Sequence, residues 1–149
     1  MTGPDRQFTL TRVVDAPRPV VWRLWTDPAE LAHWFHPRGL RTPPESVQVD
    51  LREGGRYAYT MVAEDGTGAT PTGGVYLEVV PPERLVFTWG GPDASGGDEV
   101  VVAVTLAERG GKTEVALTVR GVAGHPGDGF VHDGWSEALD NLAEHAATR

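Results

Sequence analysis

At 149 residues the chain has the length of one domain and enough material to bury a core without covalent staples. It has no cysteine, which excludes disulfides, thiolate nucleophiles and cysteine-ligated metals. The formal charge of −8 is uneven: residues 1–75 hold 8 bases against 9 acids, and residues 76–149 hold 5 against 12, which argues against nucleic acid and anionic membranes as partners.

The first six residues are polar and lack the apolar stretch of a signal peptide. No apolar run approaches the roughly 20 residues of a membrane span. Without cysteine or leader, the expected setting is the cytoplasm.

Residues 7–14 alternate and are rich in β-branched side chains, which predicts a strand. Asp15-Ala16-Pro17 stops it and opens a helix with proline in its first turn, where Val21, Leu24 and Trp25 share a face. Asp27-Pro28-Ala29-Glu30 restarts the chain as a second helix, with Asp27 as N-cap, Pro28 in the first position and Glu30 at a capping-box-like spacing. That helix is short and ends in Leu31, Trp34 and Phe35, before a loop marked by Pro37, Gly39, Pro43 and Pro44.

From there to about residue 122 the sequence reads as strand and turn. Strands are expected at 46–51, 56–63, 74–80, 84–89, 100–108 and 113–120. Asp65-Gly66 and Gly110-Gly111 are hairpin signals. Residues 90–97 and 124–129 read as loops. In the last segment Val131, Trp135, Ala138 or Leu139, Leu142 and Ala146 recur at helical spacing. The opposite face carries Asp133, Glu137, Asp140 and Glu144, read as a solvated stripe. Gly134 inside this helix costs about 1 kcal/mol in propensity, so a tight approach to a strand or to the 124–129 loop is expected. This order is α+β: a curved antiparallel sheet wrapped around a long C-terminal helix, in one domain over residues 7–147.

The motifs are specific when taken together. Thr11-Arg12 precedes Asp15-Ala16-Pro17, Val21-Trp22, Trp25-Thr26-Asp27-Pro28 and Trp34-Phe35-His36-Pro37. Residues 50–57 read DLREGGRY, residues 74–89 read GVYLEVVPPERLVFTW, and Gly111-Lys112-Thr113 and His132-Asp133-Gly134-Trp135 follow. In this order they resemble the activator of heat-shock protein 90 ATPase homologue-like family of the START-like (SRPBCC) superfamily. The resemblance implies the helix-grip fold, with a seven-stranded antiparallel sheet, two small helices and a C-terminal helix across the sheet. It also implies a cavity of the kind that holds lipids, sterols, polyketides or other apolar molecules in superfamily relatives. Relatives often carry a histidine in the last strand where this chain has Val119, so histidine chemistry there is not carried over.

Alternation puts Tyr57, Tyr59 and Met61 on one strand face, Phe87 with Trp89 on another, and Val102 with Val104 and Val119 on neighbouring strands. The long helix offers His132, Trp135 and Leu139, and Trp34 and Phe35 end the second helix where a cavity mouth is expected. These thirteen residues form the expected wall of a site for a small apolar or aromatic ligand. His33 and His36 resemble half a metal site, but no completing ligands follow at motif-like spacing, so neither metal nor cofactor is expected. Ser46, Ser95 and Ser136 lack the G-x-S-x-G setting of a nucleophile, and Gly90-Gly91 and Gly96-Gly97 lack the strand-to-helix context of a nucleotide loop. The leading reading is a non-enzymatic binding protein, monomeric or homodimeric. A cyclase or hydrolase using His132, Tyr57 or Tyr59, and a chaperone-interacting protein using the acidic helix face, are the alternatives.

Overall fold

The computed structural model describes residues 7–90, 100–122, 124–127 and 131–148. Residues 91–97 of the expected 90–97 loop, Ser95 among them, and the end of the 124–129 loop lie outside the described residues. The chain runs β1 (Gln7–Val14), α1 (Arg18–Thr26), α2 (Pro28–Trp34), β2 (Leu40–Arg41), β3 (Gln48–Val49), β4 (Arg56–Ala63), β5 (Ala69–Val80), β6 (Arg84–Thr88), β7 (Val101–Arg109), β8 (Lys112–Arg120) and α3 (Val131–Ala146). The strands form one antiparallel sheet in the order β1-β8-β7-β6-β5-β4-β2, with β3 also on β4. This is the helix-grip arrangement: two short helices follow the first strand, and the long last helix lies against the concave face of the sheet.

Local chemistry sets the corners. Asp27 caps α2 by accepting a hydrogen bond from the Ala29 N–H at 3.0 Å, as its position before proline predicts. Gly110 and Gly111, at φ +59° and +87°, make the tight β7–β8 turn, where both central residues need positive φ.

β5 produces the curvature. Residues 69–75 pair with β4, and residues 76–80 pair with β6, with a register shift between Tyr76 and Glu78. At the handover, a Cβ on Gly73 would stand 2.5 Å from the Tyr57 carbonyl oxygen, and one on Gly74 2.0 Å from that of Thr88. Pro71 lies opposite Thr60 of β4, in the stretch of β5 that has no ladder on its other side, so its missing N–H is tolerated and the strand starts five residues before the expected one.

Three further expectations needed correction. Residues 46–51 are not one strand: Pro44–Ser46 is a 3-10 turn and only Gln48–Val49 pairs with β4. The Ser46 hydroxyl donates to the Pro43 carbonyl (2.7 Å) and accepts from the Thr60 N–H (3.2 Å), which replaces the start of a ladder. The predicted loop contains β2, two residues paired with the end of β4. Gly134 is not tightly packed: a Cβ there would meet only Pro37, at 3.9 Å. The close approach is at Gly124, where a Cβ would come within 2.6 Å of the Phe8 ring and 3.0 Å of the His132 Cβ.

The acidic stripe of α3 also does more than face solvent. Arg12 of β1 donates to Asp140 (3.0 Å) and to the Ser136 hydroxyl (2.7 Å). Arg38, in the α2–β2 loop, donates its backbone N–H to Glu137 (3.0 Å) and its guanidinium to Glu144 (2.6 Å). Two arginines thus hold α3 against β1 and the loop that follows α2. No helix among the described residues is long and apolar enough to cross a membrane.

Candidate functional site

Between α3, the end of α2 and the far edge of the sheet lies a pocket of about 140 Å³. Its wall is Phe35, His36 and Pro37 after α2, Tyr59 and Met61 of β4, Trp89 after β6, and Val131, Gly134, Trp135 and Ala138 of α3. Strand alternation turns Tyr59 and Met61 to the same side. Helical spacing does the same for Val131, Gly134, Trp135 and Ala138.

Four aromatic rings frame the space. Phe35 stands 4.5 Å from Tyr59 and 5.7 Å from Trp135, and Trp89 stands 5.3 Å from Trp135, ring centre to ring centre. These separations suit favourable aromatic pairing. The Trp89 indole N–H donates to the Tyr59 hydroxyl oxygen at 2.9 Å. Burial raises the Tyr59 pKa strongly, and the bonds from Trp89 and Thr72 offset only part of it, so Tyr59 stays a neutral phenol. The buried Trp135 indole nitrogen has no hydrogen-bond partner among the described residues.

His36 is the one imidazole in this wall, and its tautomer follows from its neighbours. The single hydroxyl proton of Thr42 goes to the Phe35 carbonyl oxygen (3.0 Å), so the 3.0 Å contact with His36 Nδ1 requires Nδ1–H to be the donor. In the neutral ring Nε2 then carries a lone pair. Desolvation lowers the pKa of His36, with Glu64 opposing it, so the neutral form dominates at pH 7. The Asn141 side chain donates to the His36 carbonyl (2.9 Å) and fixes the backbone.

Of the residues expected to line a cavity, Phe35, Tyr59, Met61, Trp89 and Trp135 come together here. The others lie elsewhere. Tyr57 and Phe87, with Trp25, Leu31, Phe35, Tyr76 and Leu85, surround a void of only about 10 Å³. The Tyr57 hydroxyl donates to the Thr88 carbonyl (2.7 Å), and burial pushes its pKa well above the usual value. Trp34 is fully buried and donates its indole N–H to the Leu24 carbonyl at 2.8 Å. Val102, Val104, Val119 and Leu139 are fully buried in the core and do not border the pocket. His132 packs its ring 5.0 Å from Phe8, with Nδ1 3.5 Å from an Asp133 oxygen, and is not in the pocket wall.

His36, Pro37, Val131, Gly134 and Ala138 complete the wall and were not among the expected ligand-binding residues. The signal for four of them was present in the Trp34-Phe35-His36-Pro37 run and in the spacing of Val131 and Ala138 around Trp135. A second hollow of about 620 Å³ lies beside β4 and β5, with Gln48, Arg56, Thr60 and Thr72 in its wall. Tyr59 and Trp89 border both spaces.

The family described as "Activator of Hsp90 ATPase homolog 1-like protein" matches residues 15–147. The chain belongs to this family. Among solved structures, a protein from Chromobacterium violaceum is similar at 30% identity and a TM-score of 0.79, covering 93% of this chain and 95% of that one. An AHSA1-like protein from Aeromonas hydrophila is similar at 26% identity and a TM-score of 0.76, with 95% and 93% covered. A protein from Arthrobacter aurescens shares the fold at a TM-score of 0.83 and 19% identity, with 97% and 88% covered. A comparison with curated proteins found no match. Membership in the Hsp90 ATPase activator-homologue family fits a helix-grip scaffold of the ligand-binding type.

Proposed function

We propose that this protein binds, without transforming it, a small apolar or aromatic molecule in the pocket between α3 and the end of α2. The observation that carries the reading is the wall: four aromatic rings, Met61, Val131, Pro37 and Ala138 around about 140 Å³, with His36 as its only imidazole. An apolar cavity of about 150 Å³ holds a benzene-sized guest. The volume therefore favours a single aromatic ring or a short branched aliphatic group over a sterol. The Trp135 N–H, without a partner among the described residues, is suited to a ligand with an acceptor atom.

The acid–base groups first considered support binding over catalysis. Tyr59 is held neutral with its oxygen engaged by Trp89, Tyr57 is engaged by Thr88, and His132 lies against Phe8. The acidic face of α3, which was the basis for a chaperone-interacting role, is partly neutralised by Arg12 and Arg38. A cysteine-free sequence suits the cytoplasm as the setting for such a binder.

Thermal shift with benzene, phenol, indole and naphthalene tests the proposal. Saturable stabilisation by the one-ring compounds, reduced for naphthalene and absent in Gly134→Leu, is the expected pattern. Stabilisation of wild type and Gly134→Leu alike would remove the pocket from consideration.

A further inference from the structure

A cluster outside the pocket wall has no part in the proposed binding. Glu30 in the first turn of α2, His33 in its last turn and His145 in the last turn of α3 each present one ligand atom, and these atoms all lie within 4.8 Å of one another. The His145 Nε2 to Glu30 Oε1 distance is 3.3 Å. The imidazoles of His33 and His145 stand 4.5 Å apart, centre to centre, within 14° of parallel. Glu30 is buried although it is a carboxylate, with 11% of its side chain exposed, and the His145 side chain is 15% exposed.

We propose that Glu30, His33 and His145 form a binding site for a divalent first-row metal ion of the Zn²⁺ type. Two imidazoles and one carboxylate are a recurrent three-ligand set for zinc, with a fourth position left to solvent. Bond lengths near 2.0–2.2 Å place ligand atoms roughly 3.3 Å apart around such an ion. His145 and Glu30 already stand at that separation. His33 is exposed at the end of its helix, so it is the ligand with room to turn inward. Glu30 and His33 are three residues apart on one helix, a spacing that aims a carboxylate and an imidazole the same way.

The reading of the histidines from spacing alone paired His33 with His36. The fold separates them: His36 turns to Thr42 and the pocket, and His33 meets a histidine 112 positions later in the chain. A bound ion would clip α2 to the end of α3, two residues before Phe35 of the pocket wall.

The test is calorimetric titration of the untagged full-length chain with Zn²⁺, repeated for His33→Ala, His145→Ala and His36→Ala. The expected result is saturation at a single equivalent in wild type, binding weakened about tenfold or more in His33→Ala and in His145→Ala, and little change in His36→Ala. Co²⁺ titration, read by visible absorption, is expected to give a low-coordinate spectrum that both ligand variants lose. His33 is exposed, so His33→Ala leaves the fold intact and keeps the test decisive. Absence of stoichiometric binding, affinity unchanged in both ligand variants, or an equal loss in His36→Ala would each overturn the assignment. None of these outcomes bears on the aromatic pocket, which shares no wall residue with the cluster.

Discussion

Two aromatic-walled spaces lie against the sheet, one beside α1 and α2 and the other beside α3 and the end of α2. In the first, Trp25, Phe35, Tyr57, Tyr76 and Phe87 pack with Leu31 and Leu85 around a void of about 10 Å³, close to the smallest that holds one water. In the second, Phe35, Tyr59, Trp89 and Trp135 surround about 140 Å³. Ring count barely separates them. The difference lies in what faces the rings: leucines in the tight space, and Gly134, Ala138 and Pro37 in the open one. Gly134 and Ala138 of α3, opposite Tyr59 and Met61 of β4, leave the space open.

The contrast is most easily broken by truncation. Phe87→Ala in the tight space removes a ring from a filled core, and a loss of about 3–5 kcal/mol in chemical denaturation is expected. Met61→Ala borders existing space, and the expected loss is about 1–2 kcal/mol, below the usual core value. Equal losses would mean that the two spaces are packed alike.

Gly134→Ala sharpens the comparison in the other direction. The new methyl meets only Pro37, at ordinary contact distance, and alanine is a better helix former. A gain of about 0.5–1 kcal/mol in stability is expected, together with weaker binding of the one-ring probes. A destabilised Gly134→Ala protein would show that the helix needs glycine for its packing and not for the pocket.

The smallest expected effects concern charge. Because desolvation lowers the folded-state pKa of His36 below the usual 6.5, the unfolded chain binds more protons between the two values. His36 therefore contributes a loss of stability as pH falls from about 6.5 to its lowered folded value, and no further change below that. Replacing it in His36→Gln is expected to flatten that part of the stability–pH curve relative to wild type. A steeper curve in the variant would reverse the sign assigned here. Arg38→Ala, which breaks an exposed pair with Glu144, is expected to shift stability only slightly, and less at high salt.

The sheet and helices were legible because alternation and helical period are written along the chain. β1 begins and ends as its pattern predicts, and so does the pairing of apolar residues on β8. What the pattern did not resolve was phase within α3. Residues 132, 135, 138, 139, 142 and 146 form the buried stripe, and residues 131, 134, 135 and 138 form the pocket stripe, with Trp135 and Ala138 in both. The two stripes are separated by a fraction of a turn, so His132 was placed with the pocket when it belongs against Phe8. Met61 and Tyr57 share a strand face but serve different spaces, because the sheet curves between them. The Glu30, His33 and His145 cluster was invisible for another reason: its third member comes from the opposite end of the chain.

The central claim is that the gap left by Gly134 is a binding site. The most direct measurement is an NMR titration of the tryptophan indole N–H signals with phenol. Saturable shifts of Trp89 and Trp135, with Trp34 unmoved, are predicted for wild type and are predicted to disappear in Gly134→Leu. Indole signals that stay fixed, or that move equally in both proteins, would contradict the account.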